Sequence, residues 1–367
     1  MTANNDDALE IGVSESGSVP VTPIAAPVLT VSFPPHSRTV ETVQRIMLVT
    51  CAALLPAAGF SVALYGISAL ASIAGAVIAA AATEWLIVAL RDRSLPSFDG
   101  SSCLTGLLLA LSLPPSLPFW AAPLAAVFAI AVVKMAFGGL GRNFLNPALA
   151  GRAFCAFTFP AFFMTAAAGS ARIAGGPGSS DTVVNLFVGY AGGWLGSSSV
   201  AALLLGAGAL WILRIIDGAV PLSFLGCTFL LSWATSGTGQ LFTASALLAA
   251  LTMVLTGGIP LVSLFMATDP VTSPGTRRSR LLFGAGCGAL AVAFRKFGNA
   301  NDGAMQAVLL MNLTVPFFDR CFKQVPFGGR HRFVARAPAG QPFETIPEHV
   351  ARHEPDEEES MTPAEEL

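Results

Sequence analysis

Three aspartates stand at the ends of apolar segments, and a carboxylate in such a place can handle a cation or a proton. Asp99 precedes an apolar run in SFDGSSCLTG, Asp269 follows one in FMATDPVTSPG, and Asp319 ends one in NLTVPFFDRC. A carboxylate next to a membrane that faces the protein interior is a candidate for an ion pathway. The alternative is that each one caps a helix or pairs with a nearby arginine, and Arg320 directly follows Asp319.

The stretch GGLGRNFLNPALAGR, residues 138–152, places glycines, amides and a proline together between two apolar segments. Its glycines permit unusual φ angles and a close backbone approach. The glycines concerned are Gly138, Gly139 and Gly141. Pro147 suits the first turn of a helix, where its missing N–H is not needed. Asn143 and Asn146 would offer amide donors and acceptors near the positive end of that helix. The stretch predicts either a tight structured turn or a pocket for a planar, polar ring with carbonyl groups.

Two further charged residues interrupt apolar segments. Glu84 lies about a turn and a half before Arg91, so the interpretation available for it is an interfacial, snorkelling side chain. Lys134 ends another segment, where its charge would meet lipid head groups or an anionic ligand such as a flavin or a quinone. The six cysteines are scattered singly without a CxxC spacing, so they are interpreted as small buried residues and not as a metal or iron–sulfur site.

The elements that carry these residues belong to a membrane protein. Of the 367 residues, 53% are hydrophobic and 11% are charged, with a mean hydropathy of +0.67. A soluble domain carries about 25% charged residues. Several apolar runs approach the roughly 20 residues that a bilayer core requires. This composition also excludes a nucleic-acid binder.

Ten apolar segments predict an all-α polytopic fold with about ten transmembrane helices. Two of them, 101–114 and 280–295, are short, and short broken helices often line a binding site. The segments are 44–65, 67–90, 101–114, 118–136, 147–165, 198–216, 219–235, 241–258, 280–295 and 302–318.

Charge and composition divide the chain into a membrane domain and two tails. The predicted parts are a disordered N-terminal tail over 1–37, a membrane domain over 38–336 and an acidic, disordered tail over 337–367. Ten crossings would place 17 of the 20 lysines and arginines on one side, which predicts that both termini are cytoplasmic. The segment 166–197 would then be an outer loop between halves 38–165 and 198–336. No signal peptide is evident.

The two halves share a local pattern. The fourth segment ends VKMAFGGLGRN and the ninth ends FRKFGNAND, so each has a cation, then Phe-Gly, then Asn before the last segment of its half. Five helices in each half would give the two copies opposite orientations. The sequence therefore predicts two five-helix inverted repeats.

Several motifs, in the same order along the chain, resemble one family of membrane proteins. FGGLGRNFLNPALAGRAF resembles the B subunit of the sodium-translocating NADH:quinone oxidoreductase, while DGSSCLTGLLLALSLPPSLPFW and RIMLVTCAALLPA are similar to the D subunit of the Rnf electron-transport complex. MATDPVTSP and LLFGAGCGALAVAFRKFG are shared by both proteins. The resemblance to this NqrB/RnfD family covers about residues 35–335.

The resemblance implies a urea-transporter-like inverted repeat in an ion-translocating (Na⁺ or H⁺) complex of the bacterial cytoplasmic, or inner, membrane. The implied partners are the other Rnf/Nqr-type subunits, the lipid bilayer and quinone, and the implied cofactors are FMN or riboflavin. In the B-subunit branch the glycine/asparagine stretch and the acids matching Asp99, Asp269 and Asp319 are associated with riboflavin, quinone or sodium. No NADH site or iron–sulfur motif is present, so the chain is not a complete enzyme by itself.

One departure concerns the covalent flavin. The family attaches FMN to the threonine of an Asp-x-x-Ser-x-x-Thr pattern in the outer loop, but here those positions fall on alanines. They are Ala168, Ala171 and Ala174. A Ser-x-x-Thr occurs at Ser179 and Thr182, with Gly176 where the aspartate should stand, so Thr182 is a weak acceptor candidate. The flavin is then lost or held without a covalent bond. The alternative function is a redox-inactive channel or transporter on the same fold.

Overall fold

The computed structural model describes residues 42–92, 99–164, 180–189, 193–235, 243–298 and 303–322. These residues form helices joined by turns. A further helical stretch occupies 160–164. The helices are α1 (Val43–Tyr65), α2 (Ile67–Asp92), α3 (Ser101–Leu111), α4 (Ala121–Met135), α5 (Pro147–Thr158), α6 (Ser180–Val188), α7 (Val200–Ile212), α8 (Ala219–Ala234), α9 (Ala244–Leu255), α10 (Ile259–Met266), α11 (Arg277–Phe297) and α12 (Gly303–Cys321).

The helices agree with a polytopic membrane protein, although few of them are long. Within the described residues, α1 and α2 are long and apolar enough to cross a membrane, and α9 with α10, bent by 60° at their break, makes up to three spans. The helices α3, α4, α7 and α8 are shorter apolar helices. Both tails, and the alanines of the loop after 164, lie outside the described residues.

The predicted segments need three corrections. The segment 280–295 is not short, because α11 starts earlier at Arg277, where the Thr276 hydroxyl accepts from the Ser279 N–H. The segment 241–258 ends before α10, so that residues 259–266 were assigned to no apolar segment although they form a helix. The segment 166–197 is not a plain loop: it contains α6, and the turn Leu195–Ser197 is buried, with Leu195 N–H donating to the Leu113 carbonyl at 3.0 Å.

Small residues let the helices approach closely. A Cβ atom on Gly206 of α7 would lie 1.9 Å from the Ala53 carbonyl oxygen of α1, and one on Gly284 of α11 would lie 2.6 Å from the Val220 carbonyl of α8. Lipid tails are as apolar as side chains, so helices in a membrane associate through such close packing. Alanine fills much of the remaining core.

Two short helices begin in the same way and end inside the bundle. The residues before α3 and α10, Gly100 and Gly258, both have a φ of 76°, a left-handed conformation that favours glycine. The last part of α4, Ala129–Met135, and of α10, Val262–Met266, is π-helical. Such segments occur frequently at functional sites. These breaks bring polar residues to one end of the bundle.

Candidate functional site

The glycine/asparagine stretch forms a turn whose backbone requires its glycines. Gly138, Gly139 and Gly141 have φ angles of 109°, 91° and 90°, which confirms the expected unusual φ values. Pro147 occupies the first turn of α5, also as predicted. Of the two interpretations, the tight structured turn is therefore present. The pocket depends on what the two asparagines do.

Asn146 is used to join α5 to α10. Its side-chain oxygen accepts from the backbone N–H groups of Ala148 (3.0 Å) and Leu149 (3.3 Å), which caps α5. Its amide nitrogen donates to the Met266 carbonyl at 3.2 Å. The amide of Asn312 on α12, oriented to satisfy its neighbours, accepts from the Asn146 N–H at 3.2 Å. Asn146 therefore shapes the site, and its oxygen is not free for a ligand.

A cavity opens where the turn, α3, α4 and α10 meet. The cavity is partly open, and the space between its walls together with the solvent at its mouth amounts to about 790 Å³. Apolar side chains such as Leu108 and Phe265 form much of its wall. Its polar lining consists of Thr50, Ser101, Thr105, Lys134, Asn143, Asn146, Thr268 and Asp269. An apolar pocket with a few convergent polar groups is the usual form of a small-molecule site.

Asn143 presents an acceptor that the described protein leaves unused. The side chain is 5% exposed, and its nitrogen donates to the Leu145 carbonyl at 3.2 Å. Its Oδ1 atom is buried and has no hydrogen-bond partner among the described residues. Such buried polar atoms are rare, because losing water without a replacement bond costs about 1–3 kcal/mol. Asn143 lines the cavity, so a ligand with an N–H or O–H group would supply the missing donor.

Lys134 brings a positive charge into the same wall. The residue is 1% exposed. Its Nζ atom donates to Glu84 Oε1 at 2.6 Å and to Ser101 Oγ at 2.5 Å. The interpretation of Glu84 as a snorkelling interfacial residue is therefore wrong, because its carboxylate points to a buried ammonium and retains only 18% side-chain exposure. Through these two bonds Lys134 contacts α2 and α3, and the part of α4 that carries it is π-helical.

Asp99 does not line the cavity, but it is hydrogen-bonded to Ser101, which does. Its Oδ1 atom accepts from the Ser101 backbone N–H at 2.9 Å and from the Ser101 hydroxyl at 2.7 Å. It therefore binds the first turn of α3, as the capping interpretation expects. It is also joined to Lys134 through Ser101, which the sequence did not reveal.

Asp269 lines the cavity directly. It lies in the loop after α10, where it accepts from the Val271 N–H at 3.3 Å and from the Thr272 hydroxyl at 3.0 Å. The surrounding protein removes water from the carboxyl group and so raises its pKa, while these two hydrogen bonds oppose the shift. Asp269 therefore combines a structural role in the loop with access to the cavity.

Asp319 lies outside this cavity. Its side chain is exposed, and Oδ1 accepts from the Gly275 N–H at 3.0 Å. Arg280 holds the same loop by donating to the Pro274 carbonyl at 3.0 Å. The structure thus brings together Asn143, Asp269 and, through Ser101, Asp99, while Asp319 fixes the loop that carries Asp269.

Thr182, the weak candidate for covalent FMN, lies in the first turn of α6. Its side chain is 1% exposed. It does not line the cavity, and neither does any other residue of α6. Of the cysteines, Cys155 and Cys287 are buried as expected, but Cys321 is exposed. Across the described residues, no group of three or more His, Cys, Asp or Glu could hold a metal ion.

The sequence reasoning missed one buried cation. Arg152 on α5 is 2% exposed and donates through Nε to the Ser112 carbonyl at 2.8 Å. Its guanidinium lies 4.3 Å from the Trp194 ring centroid and 4.9 Å from that of Phe163, which are cation–π distances. An arginine in the middle of an apolar helix is the signal that could have identified this buried cation. The sequence analysis instead counted Arg152 among the lysines and arginines that lie at the membrane surface.

Comparison with known proteins identifies a family and several similar proteins. Residues 30–328 match the family model described as the NQR2, RnfD, RnfE family. The chain is 34% identical over 327 residues to the D subunit of the proton-translocating ferredoxin:NAD⁺ oxidoreductase complex of Clostridium ljungdahlii, covering 83% of this chain and 97% of the relative. It is 35% identical over 314 residues to the D subunit of the Na⁺-translocating ferredoxin:NAD⁺ oxidoreductase complex of Acetobacterium woodii, covering 82% and 95%.

A third relative, the D subunit of the ion-translocating oxidoreductase complex of Escherichia coli O127:H6, is 33% identical over 350 residues, with coverage of 83% and 99%. The family match spans most of the chain, and the relatives match over nearly their whole length. The resemblance seen in the separate motifs is thereby confirmed. The chain belongs to the NQR2, RnfD, RnfE family.

Proposed function

We propose that this chain is the membrane subunit of an ion-translocating oxidoreductase complex of the Rnf/Nqr type, in which it passes electrons through a flavin and helps to couple them to Na⁺ or H⁺ transport. Its partners are the other subunits of that complex and the lipid bilayer, and quinone is a further candidate ligand. The relatives named above are subunits of such complexes. The observation that carries the proposal is the apolar cavity containing Lys134, Asn143 and Asp269.

The residues of the cavity fit a flavin held without a covalent bond. Asn143 Oδ1 is a buried acceptor awaiting a donor, and Lys134 is a donor with a positive charge beside it. An isoalloxazine ring carries a neighbouring N–H donor and carbonyl acceptors, which complement these two groups. A flavin supplies one- and two-electron transfer when bound, and the protein supplies its binding and electrostatics. Asn143 and Lys134 would hold the polar edge, while Leu108 and Phe265 would exclude water.

Riboflavin or FMN in this cavity needs no covalent acceptor, whereas FMN on Thr182 needs an accessible hydroxyl. The buried position of Thr182 supports the doubt already raised by the missing Asp-x-x-Ser-x-x-Thr pattern. Our proposal is therefore a non-covalent flavin near Asn143. The role of the Asp99, Asp269 and Asp319 carboxylates is ion handling around this site, with Asp319 acting through the loop that it holds.

We further propose the ten-helix inverted repeat. Gly100 before α3 and Gly258 before α10 share the same φ, and each short helix follows a break. Lys134 near the end of α4 contacts Ser101 at the start of α3. Arg295 near the end of α11 donates to the Thr256 carbonyl at 2.6 Å, just before α10. In each predicted half, a cation near the end of one helix (α4 or α11) thus contacts the start of the short helix that precedes it (α3 or α10), which supports the proposed repeat.

The proposed location is the bacterial cytoplasmic membrane, with both termini in the cytoplasm. The support is the distribution of lysine and arginine along the sequence, since cytoplasmic loops carry an excess of both. The same orientation would place the cavity towards the cytoplasmic side.

The test is to purify the complex, denature it in acid, and look for flavin in the supernatant and on the polypeptide. We expect free riboflavin or FMN in the supernatant and an intact mass of this chain without a flavin increment. A mass increment of one FMN that is abolished by Thr182→Ala would overturn the non-covalent assignment. Absence of flavin from both fractions would favour a redox-inactive channel or transporter on the same fold.

A further inference from the structure

Four polar side chains form a continuous hydrogen-bonded line beside the cavity. Glu84 Oε1 accepts from Lys134 Nζ at 2.6 Å. Lys134 Nζ donates to Ser101 Oγ at 2.5 Å, and that hydroxyl donates to Asp99 Oδ1 at 2.7 Å. Because the one hydroxyl hydrogen of Ser101 points to Asp99, its oxygen is left to accept from Lys134. The line therefore joins two carboxylates to one ammonium through a group that can both give and take a proton.

Structural stability alone gives little reason to keep this line. Removing an ammonium and a carboxylate from water costs several kcal/mol per ion, and replacing a buried pair by apolar side chains is often neutral or stabilising. Lys134 is nevertheless buried in a bundle that has few other charges. Ionisable residues at such positions usually serve a proton or ion path.

The line also reaches the cavity. An ammonium carries three N–H donors, and two of those on Lys134 are used by Glu84 and Ser101. The third has no hydrogen-bond partner among the described residues. Lys134 and Ser101 both line the cavity in which Asn143 has its unused acceptor. The wall thus offers a free proton donor as well as a free acceptor.

We propose that Lys134 is the proton donor to the redox ligand of this cavity, and that Asp99 returns the proton to Lys134 through Ser101. The inference rests on the flavin binding proposed above. If a bound flavin received one electron from the redox centre of another protein of the complex, Lys134 would give it the accompanying proton by breaking one of its Nζ–H bonds. Lys134 is then a neutral amine. It recovers its charge after Asp99 takes up a proton from solvent: the Asp99 O–H bond breaks as its proton passes to Ser101 Oγ, while the hydroxyl proton of Ser101 passes to Lys134 Nζ.

Other charged or titratable groups surround the line on each packed element. Glu84 accepts from Lys134 Nζ at 2.6 Å and is the acidic group in direct contact with it. Asp269 lines the cavity from the loop after α10. Arg152 on α5 does not line the cavity, and its Nε atom donates to the Ser112 carbonyl. The group on α3 that lies near the charges of Glu84, Asp99 and Lys134 is the Cys103 thiol. The test must therefore separate the effect of Lys134 from a general change in local charge.

The test uses the purified complex in a stopped-flow instrument, with flavin absorbance reporting reduction and a pH-sensitive dye reporting proton uptake. In the unmodified complex we expect flavin reduction and proton uptake to proceed at the same rate. Lys134→Met should slow the reduction that is coupled to protonation by about 100-fold, since a positioned proton donor contributes about 10²- to 10⁴-fold. Lys296→Met is the matched control, because Lys296 lies at the end of α11 and binds the Thr235 carbonyl. It should leave both signals unchanged.

Ser101→Ala separates the two steps and keeps the Glu84–Lys134 ion pair. We expect normal reduction in the first turnover, because Lys134 is still charged, but proton uptake from solvent that lags behind it at least tenfold. Wild-type rates in Lys134→Met, or equal slowing of both signals in Ser101→Ala, would overturn the proposal. If Lys134→Met fails to retain flavin, the lag in Ser101→Ala decides the matter by itself. A complex that contains no flavin would contradict the proposed function instead.

Discussion

Asn146 links the turn to both α5 and α10 through its side-chain amide, and its replacement should lower the stability of the protein. Asn146→Ala removes the cap of α5, worth about 1 kcal/mol. It also removes the hydrogen bond to the Met266 carbonyl, worth about 1 kcal/mol. Together the unfolding free energy should fall by about 2 kcal/mol, which corresponds to a decrease in Tm of about 4–8 °C.

Asn146→Ser is the matched control, since serine caps a helix but is too short to reach Met266. It should lower Tm by about half as much as Asn146→Ala. Ser199→Ala removes only a cap, that of α7, and should resemble the serine variant. The assay is thermal unfolding of the detergent-solubilised complex. Equal losses in the alanine and serine variants of Asn146 would refute the second, inter-helical contribution.

Two further predictions concern packing and charge. Gly206→Ala should destabilise the protein by about 1–3 kcal/mol, because its methyl group would meet the Ala53 carbonyl, whereas Gly208→Ala, with open space around it, should change stability by about 0.5 kcal/mol or less. Similar Tm values for the two variants would contradict the close contact. Lys134→Met should lower the unfolding free energy by about 3 kcal/mol. This is the lower end of the range for breaking a buried ion pair, because the Glu84 side chain keeps 18% exposure. Adding Glu84→Leu to this variant should restore most of the Tm. A double variant no more stable than the single one would contradict the pairing.

The sequence predicted the helical class, the turn and Pro147 because these follow from local chemistry. Apolar runs, glycines and a proline act on their own backbone. The helix α10 was missed because the eight residues after Gly258 are too few to form a transmembrane segment by themselves, and the sequence does not show that they continue α9 after a bend of 60°. Only the packing of the bundle shows that the helix bends there.

The pairings across the bundle could not be predicted, because they join residues far apart in sequence. Glu84 and Lys134 are separated by 50 residues, and Asn146 and Met266 by 120. Sequence spacing favours local partners, and for Glu84 it points to Arg91, its neighbour along the helix. The sequence predicted amide donors and acceptors at Asn143 and Asn146 but not that Asn146 caps α5, and the unused acceptor of Asn143 depends on burial.

The most direct test of the central claim compares the flavin content of the unmodified complex with that of a complex in which a substitution fills the cavity. Asn143→Phe removes the free acceptor and fills the space beside Lys134. We predict that acid releases one flavin fewer per complex from this variant than from the unmodified protein, while the protein composition of the complex stays the same. An unchanged content of released flavin would contradict the assignment of this cavity as the electron-carrying site.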